Sequence, residues 1–259
     1  MAATPLVFIT GASSGIGQAL AARYAQAGWR LALVARRTAE VQAWAQAQGL
    51  PAERVGIYRA DVADVDSIVA AGQACIEAQG LPDVVIASAG ISVGMDTADA
   101  ADLAVMRSTL ETNVLGMAAT FQPFVAAMGQ RGSGALVGIA SVAGIRGLPG
   151  HGAYCASKAA VISYCESLRG ECRHQGVKVV TIAPGYIDTP LTRRNRYAMP
   201  FLMTAEAFAD RAFRHIAAGV RFRVIPWPMG VVAALLRILP DVLFDRLLAG
   251  RPRKRRQHE

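Results

Sequence analysis

Tyr154 and Lys158 stand four residues apart in Tyr154-Cys155-Ala156-Ser157-Lys158, so a helix through them carries both side chains on one face. An unperturbed tyrosine titrates near ~10 and is a poor base at neutral pH. A lysine ammonium and an oxidised nicotinamide beside it would favour the phenolate and lower that value. Tyr154 could then take or give a hydroxyl proton while hydride crosses to or from the nicotinamide. Ser141, thirteen residues upstream at the end of an aliphatic run, could hold the substrate oxygen, and Asn113 could support Lys158 through a water. A tyrosine and a lysine at this spacing also arise by chance, so the pair alone decides nothing.

Hydride chemistry of this kind needs a dinucleotide, and the N-terminus offers a place for one. The turn Thr10-Gly11-Ala12-Ser13-Ser14-Gly15-Ile16-Gly17 joins the first aliphatic run to an Ala-rich periodic stretch. Gly11 permits a tight turn, and Gly15 and Gly17 let backbone approach a pyrophosphate at a helix N-terminus. The spacing is GxxxGxG rather than the commoner GxGxxG, and many strand-to-helix turns are glycine-rich for steric reasons alone. After the second run come Arg36 and Arg37, where an NAD site would hold an acidic residue for the ribose. NADP(H) is therefore the expected cofactor, with NAD(H) as the second reading. Asp61 and Val62, after the third run, could bracket the adenine.

The elements that must position these residues follow from hydrophobic periodicity. Strands are expected over Leu6–Thr10, Arg30–Ala35, Val55–Ala60, Val84–Ser88, Ala135–Ala140, Val177–Ile182 and Phe222–Ile225. Helices are expected over Gly15–Ala27, Thr38–Ala47, Val65–Gln79, Ala98–Ala127, Gly152–Gln175, Ala205–Ala217 and about Met229 to Ala249. Alternation of this kind builds βαβ units, and the economical fold is one doubly wound, Rossmann-type parallel α/β sheet of about seven strands. A single domain over 1–228 would then carry a C-terminal extension over 229–259.

Taken together, these residues resemble the short-chain dehydrogenase/reductase (SDR) family over roughly 5–228. The resemblance is carried by Thr10-Gly11-x3-Gly15-x-Gly17, Asp61, Ala89-Gly90, Asn113, Ser141, Tyr154-x3-Lys158, and Pro184-Gly185 with Thr189. It implies a seven-stranded sheet and an Asn113-Ser141-Tyr154-Lys158 tetrad. It also implies that Pro184, Gly185, Ile187 and Thr189 contact the nicotinamide half of the cofactor. The family usually writes Asn-Asn-Ala-Gly after the fourth strand, where this chain has Ala87-Ser88-Ala89-Gly90. Ser88 can still bond backbone, so the departure bears on sheet stability more than on chemistry.

Composition narrows the remaining classes. The four cysteines form no C-x-x-C pair and read as small buried hydrophobes rather than a disulfide framework or a metal site. The N-terminus carries no charged n-region or cleavable apolar segment, which makes the cytoplasm the expected compartment, with the membrane periphery as a second reading. Net charge is +8, but residues 251–259 and 193–223 contribute +4 and +5, leaving about −1 for the rest, so no protein-wide nucleic-acid surface is expected.

A small-molecule carbonyl or alcohol substrate would lie among Ser92, Val93, Met95, Ile145, Leu148, His151, Tyr186 and Leu191, under a lid over Pro190–Met203. That list is mainly apolar and points to a lipophilic compound. The apolar helices around Asn113–Met128 and Cys155–Leu168 resemble those that pair across a two-fold axis in the family, implying a homodimer or homotetramer. In the extension, Arg237, Asp241 and Asp245 recur every four residues and should form one polar stripe on a helix kinked at Pro240. That helix either packs on its own domain or a partner subunit, or lies on a membrane surface with the basic tail Arg251–Arg256 reinforcing it. Two rival functions stay open: a catalytically silent NADP(H) sensor, which would usually lack the Tyr or the Lys, and a membrane-surface binding protein.

Overall fold

The computed structural model describes residues 4–250 apart from 194 and 196, together with 253, 254 and 256. Strands β1 (Leu6–Thr10), β2 (Arg30–Ala35), β3 (Val55–Arg59), β4 (Val84–Ala87), β5 (Gly134–Ile139) and β6 (Val177–Pro184) alternate with helices. A short pair, β7 (Ile187–Asp188) and β8 (Met203–Thr204), precedes the edge strand β9 (Phe222–Ile225). Seven of these strands form one parallel sheet in the order β3-β2-β1-β4-β5-β6-β9. The order reverses direction between β1 and β4, where ligands of doubly wound sheets bind beyond the strand C-termini.

Each face of the sheet is covered, which explains the unbroken burial of β1, Leu6–Thr10. Leu6 and Phe8 point to the face of α3 (Val65–Gln79), α5 (Gly116–Arg131) and α6 (Gly152–Cys172), whose core side chains include Ile68, Phe124 and Val161. The Phe8 and Phe124 rings meet at 4.9 Å. Val7 and Ile9 point to the opposite face, covered by α1 (Gly15–Gln26), α2 (Thr38–Ala47) and α7 (Ala205–Ala217) through Leu20, Val41 and Phe208. Each such large side chain contributes about 1.5–3 kcal/mol by leaving water. The four cysteines are buried free thiols within this core or at its edge.

Two sequence expectations are corrected here. The expected helix over Ala98–Ala127 is a composite: α4 (Asp102–Leu110), a π-helical turn over Glu111–Leu115, then α5. Pro123 sits inside α5 and does not end it. The expected last helix is two, α8 (Trp227–Ile238) and α9 (Asp241–Leu248), with Leu239 and Pro240 both extended at ψ 130 and 143. A proline forces the residue before it out of the helical region and lacks the N–H a helix would use. The kink is therefore a break, and the polar stripe of Arg237, Asp241 and Asp245 does not form. A boundary after residue 228 would also cut α8, which starts at Trp227.

The break lets the extension pack on its own domain around one residue. Arg146 donates through Nη1 to the carbonyls of Leu236 and Leu239, the latter at 2.6 Å, and through Nη2 to Asp241 at 2.7 Å. Its guanidinium lies 3.8 Å from the centroid of the Phe244 ring. Arg146 thus satisfies carbonyls at the end of α8 that the proline break leaves open, as a cation at a helix C-terminus should. Met229, Ala233 and Phe244 form the buried side of the pair, while Trp227, Leu235, Ile238 and Val242 face outward. Among the described residues no helix is long and apolar enough to cross a membrane.

Candidate active site

The glycine turn lies at the C-terminal end of β1, against the ends of β4 and β6. A side chain on Gly11, whose φ is +70, would come within 2.9 Å of the Ala89 backbone, and one on Gly17 would strike the Gly11 carbonyl oxygen. Gly15 faces Thr189 at 3.3 Å, so the turn and the segment after β6 meet as expected. Thr10 Oγ1 fastens the neighbouring loop by accepting from the Ser88 and Ala89 N–H groups at 3.1 and 3.2 Å. The Ser88 hydroxyl, in contrast to expectation, is buried without a partner among the described residues.

The opening of α1 is suited to an anion. Its N-cap, Ser14, makes no side-chain cap and its first turn holds no acidic residue, so the N–H groups there stay available. Ser13, Ser14, Gly15, Ile16 and Gly17 therefore fit the pyrophosphate of a dinucleotide. Arg37 reaches back to this turn, its Nη2 lying 3.3 Å from Ser13 Oγ, and pairs with Glu40. Arg36 pairs with Asp61 at 3.5 Å. Asp61 also caps the Ala63 N–H, while the Val62 side chain is buried in the core and leaves only backbone toward an adenine. Pro184 ends β6, the Gly185 N–H donates to Ile225 at 2.8 Å, and Ile187 and Thr189 are buried beside them.

Tyr154 and Lys158 lie on the first two turns of α6, with Ser141 at the end of β5. Burial is the largest influence on the Tyr154 phenol and raises its pKa above the usual value; a hydrogen bond with Ser141 acts in the opposite sense. The chain by itself thus favours the phenol over the phenolate. Lys158 is 6% exposed, donates to the Ile139 carbonyl at 2.8 Å and lies 5.8 Å from the Tyr154 ring centroid. Burial without a paired carboxylate pushes its ammonium down to about 8.

Asn113 occupies the π-helical turn, a distortion often found where a helix must aim one side chain. Its Oδ1 accepts from Ile91 N–H at 2.8 Å, and its Nδ2 donates to the Ile91 carbonyl and to Ser157 Oγ, each at 2.9 Å. Ser157, which the sequence reading passed over, thereby links Asn113 to the turn of α6 that bears Tyr154. Gly90 lies between: a side chain there would sit 3.2 Å from Asn113 Oδ1 and 3.6 Å from Lys158 Nζ.

The expected substrate residues gather only in part. Met95 accepts from the Ala153 N–H at 3.1 Å, Leu148 accepts from His151 N–H at 3.0 Å, and Ile145 accepts from Arg237 at 3.0 Å. His151 contacts the Pro149 carbonyl and the Tyr197 hydroxyl, and burial lowers its pKa. Tyr197, unmarked by any local pattern, also stacks edge-on against Tyr186 at 6.2 Å. Ser92 and Val93 are half-buried on the loop before Met95, whereas Leu191 is 40% exposed on the outer side of the segment after Thr189. Of the expected lid, residues 194 and 196 lie outside the described residues. The tail supplies a further unpredicted neighbour: Lys254 Nζ lies 2.8 Å from Ser92 Oγ.

Comparison with known proteins places this geometry. A family model described as short chain dehydrogenase matches residues 5–199. An uncharacterized oxidoreductase of Myxococcus xanthus is 38% identical over 240 residues, covering 92% of this chain and 93% of its own. The Bos taurus dehydrogenase/reductase SDR family member 7B is 33% identical over 272 residues, covering 97% of this chain and 82% of its own. Among solved structures, a short-chain dehydrogenase from Sphingobium yanoikuyae in complex with NADPH has a TM-score of 0.75 at 25% identity, over 92% of this chain and 97% of that one. A short chain dehydrogenase/reductase from Burkholderia phymatum in complex with NAD shares the fold, with a TM-score of 0.80 at 24% identity over 96% of each chain.

The Lys158 geometry carries a stability test. Its folded pKa of about 8 lies below the ordinary 10.5, so burial opposes folding fully below about pH 8 and ceases to matter above about 10.5. Lys158→Met should therefore raise the unfolding free energy at pH 7, by at most about 3 kcal/mol. Denaturant unfolding should show that gain fading as pH rises from 8 to 10.5. A loss of stability at pH 7 would overturn the account of Lys158 as an uncompensated buried cation.

Proposed function

The chain belongs to the short-chain dehydrogenase/reductase family, and on that premise we propose that it is an NADP(H)-dependent oxidoreductase for a carbonyl or alcohol of a lipophilic small molecule. The observation that carries the reading is the half-buried Tyr154 phenol set beside Ser141, with the Lys158 ammonium 5.8 Å from its ring centroid. A bound nicotinamide supplies or accepts the hydride. In reduction Ser141 holds the carbonyl oxygen, Tyr154 gives it a proton, and Lys158 stabilises the charge left on the phenolic oxygen. Asn113 and Ser157 hold α6 in register with the Ile91 loop so that these groups stay aligned. Burial keeps the phenol protonated, the form from which reduction starts, and the Lys158 ammonium offsets the cost of giving the proton up.

Tyr154→Phe removes the acid while leaving the ring packed. Turnover of ketones and aldehydes should fall by roughly 10²–10⁴-fold with cofactor binding kept. A variant retaining a tenth of the wild-type rate would sink the assignment. A wild type inert toward the whole panel with both NADPH and NADH would favour the silent-sensor reading.

NADP(H) is preferred because Arg37 reaches the phosphate-binding turn and Arg36 stands beside it on the strand end, with no acidic residue in that place. Arg36→Ala and Arg37→Ala should together weaken NADPH roughly tenfold to a hundredfold and NADH little, since a charge-assisted contact to the 2′-phosphate is lost. Titration by nicotinamide fluorescence reads both. Equal losses, or a wild-type preference for NADH, would reverse the choice of cofactor.

A homodimer or homotetramer is supported by the outward faces of the π-helical turn before α5 and of α6, which expose Leu115 and the small residues Ala156, Ala159 and Ser163. Peripheral membrane contact, the second reading, is favoured by the outward apolar side chains Trp227, Leu235 and Ile238. Light scattering with and without anionic vesicles tests both: a mass of two or four chains is expected alone, and a shift onto vesicles with them. A single-chain mass at micromolar concentration refutes the assembly, and no vesicle association refutes the membrane contact.

A further inference from the structure

The described residues of the basic tail turn inward across the substrate side of the site instead of outward. Arg256 donates from Nε to Asp102 Oδ2 at 2.8 Å and pairs with Asp99 through Nη2. Asp102 is 0% exposed in the first turn of α4, and the same oxygen accepts from the Asp96 N–H at 2.7 Å. A carboxylate so buried demands a cation, and Arg256 is the one that pairs with it. Gly94 and Arg256 also form a parallel bridge, and the Arg253 side chain lies against Gly150.

This anchor fixes Lys254 two residues away. Its Nζ donates to Ser92 Oγ at 2.8 Å and lies 6.0 Å from the centroid of the Tyr154 ring, whose other ammonium neighbour, Lys158, is at 5.8 Å. Lys158 serves the proton transfer; Lys254 is left over by it. Lys254 is half-buried, and among the described residues no carboxylate forms an ion pair with it. Burial pushes its ammonium down to about 8, and its charge in turn disfavours protonation of His151. A half-buried cation with a hydroxyl for company, beside the reacting phenol, is incomplete until an anion joins it.

We propose that Lys254 is a specificity-determining residue that selects substrates bearing a carboxylate a few bonds from the carbonyl reduced at Tyr154. The proposal rests on the oxidoreductase reading above and narrows its substrate class to lipophilic oxo acids. Apolar walls from Met95 and Tyr186 take the chain of such a compound, and Lys254 with Ser92 takes its charged end.

A medium-chain 3-oxo acid and its methyl ester, compared with NADPH present, test this in the full-length protein. Both kcat/KM and the dissociation constant by calorimetry are measured for wild type, Lys254→Met and Lys254→Arg. The wild type should prefer the acid. Lys254→Met should lower that preference roughly tenfold to a hundredfold, mainly through the KM for the acid, and be partly rescued by Lys254→Arg. An acid-to-ester ratio that Lys254→Met leaves unaltered in both readouts overturns the proposal. Equal gains for acid and ester also overturn it, because the tail is then a plug on the site. Lys254-dependent binding of the acid with neither probe turned over supports the anion site and refutes the reductase reading instead.

Discussion

Lys158 keeps an ammonium between α6 and the end of β5, with the Ile139 carbonyl as its hydrogen-bond acceptor. No carboxylate among the described residues pairs with it, and burial opposes its charge. Such a group survives only where the surrounding structure is stable without it. The covered sheet provides that: α6 is fastened through Val161, Cys165 and Leu168, and Gly144 lets the Ser141 loop touch the α6 backbone at Lys158. In the proposed mechanism that uncompensated charge is free to answer charge that develops on Tyr154.

The two sides of the site are built from different materials. The cofactor side is largely backbone: close glycine approaches, the open N–H groups of α1, and the strand ends, all set by the sheet itself. The proposed substrate side is made of side chains drawn from distant stretches, including Met95, His151, Tyr197 and Lys254. A scaffold of this form can keep its redox chemistry while its loops and tail change what is bound.

That division also explains what could be read in the sequence. Strands covered on both faces write themselves as aliphatic runs, so the seven sheet strands lie within two residues of expectation. The glycine turn and the Tyr154–Lys158 spacing are local signals and were legible for the same reason. Asn113 was legible as a residue, but its partner Ser157 was not, because 44 positions separate them. Arg146 holding Leu239 and Lys254 meeting Ser92 span 93 and 162 positions, and no periodicity encodes either. Pro240 was visible, yet only the three-dimensional packing of Arg146 and Phe244 makes a full break, in place of a kink, satisfactory for the open carbonyls.

The π-helical turn at Glu111–Leu115 has a consequence for how this chain can vary in length. Such a turn holds one residue more than the α-helix needs to cover the same rise. Deleting one of the five would restore regular winding with α4 and α5 still in phase, so Val105, Phe121 and Phe124 would keep their packing. What would be lost is the wide turn that aims Asn113 at the Ile91 loop and at Ser157. The extra residue therefore serves the aim of one side chain, and the rod around it would fold without it.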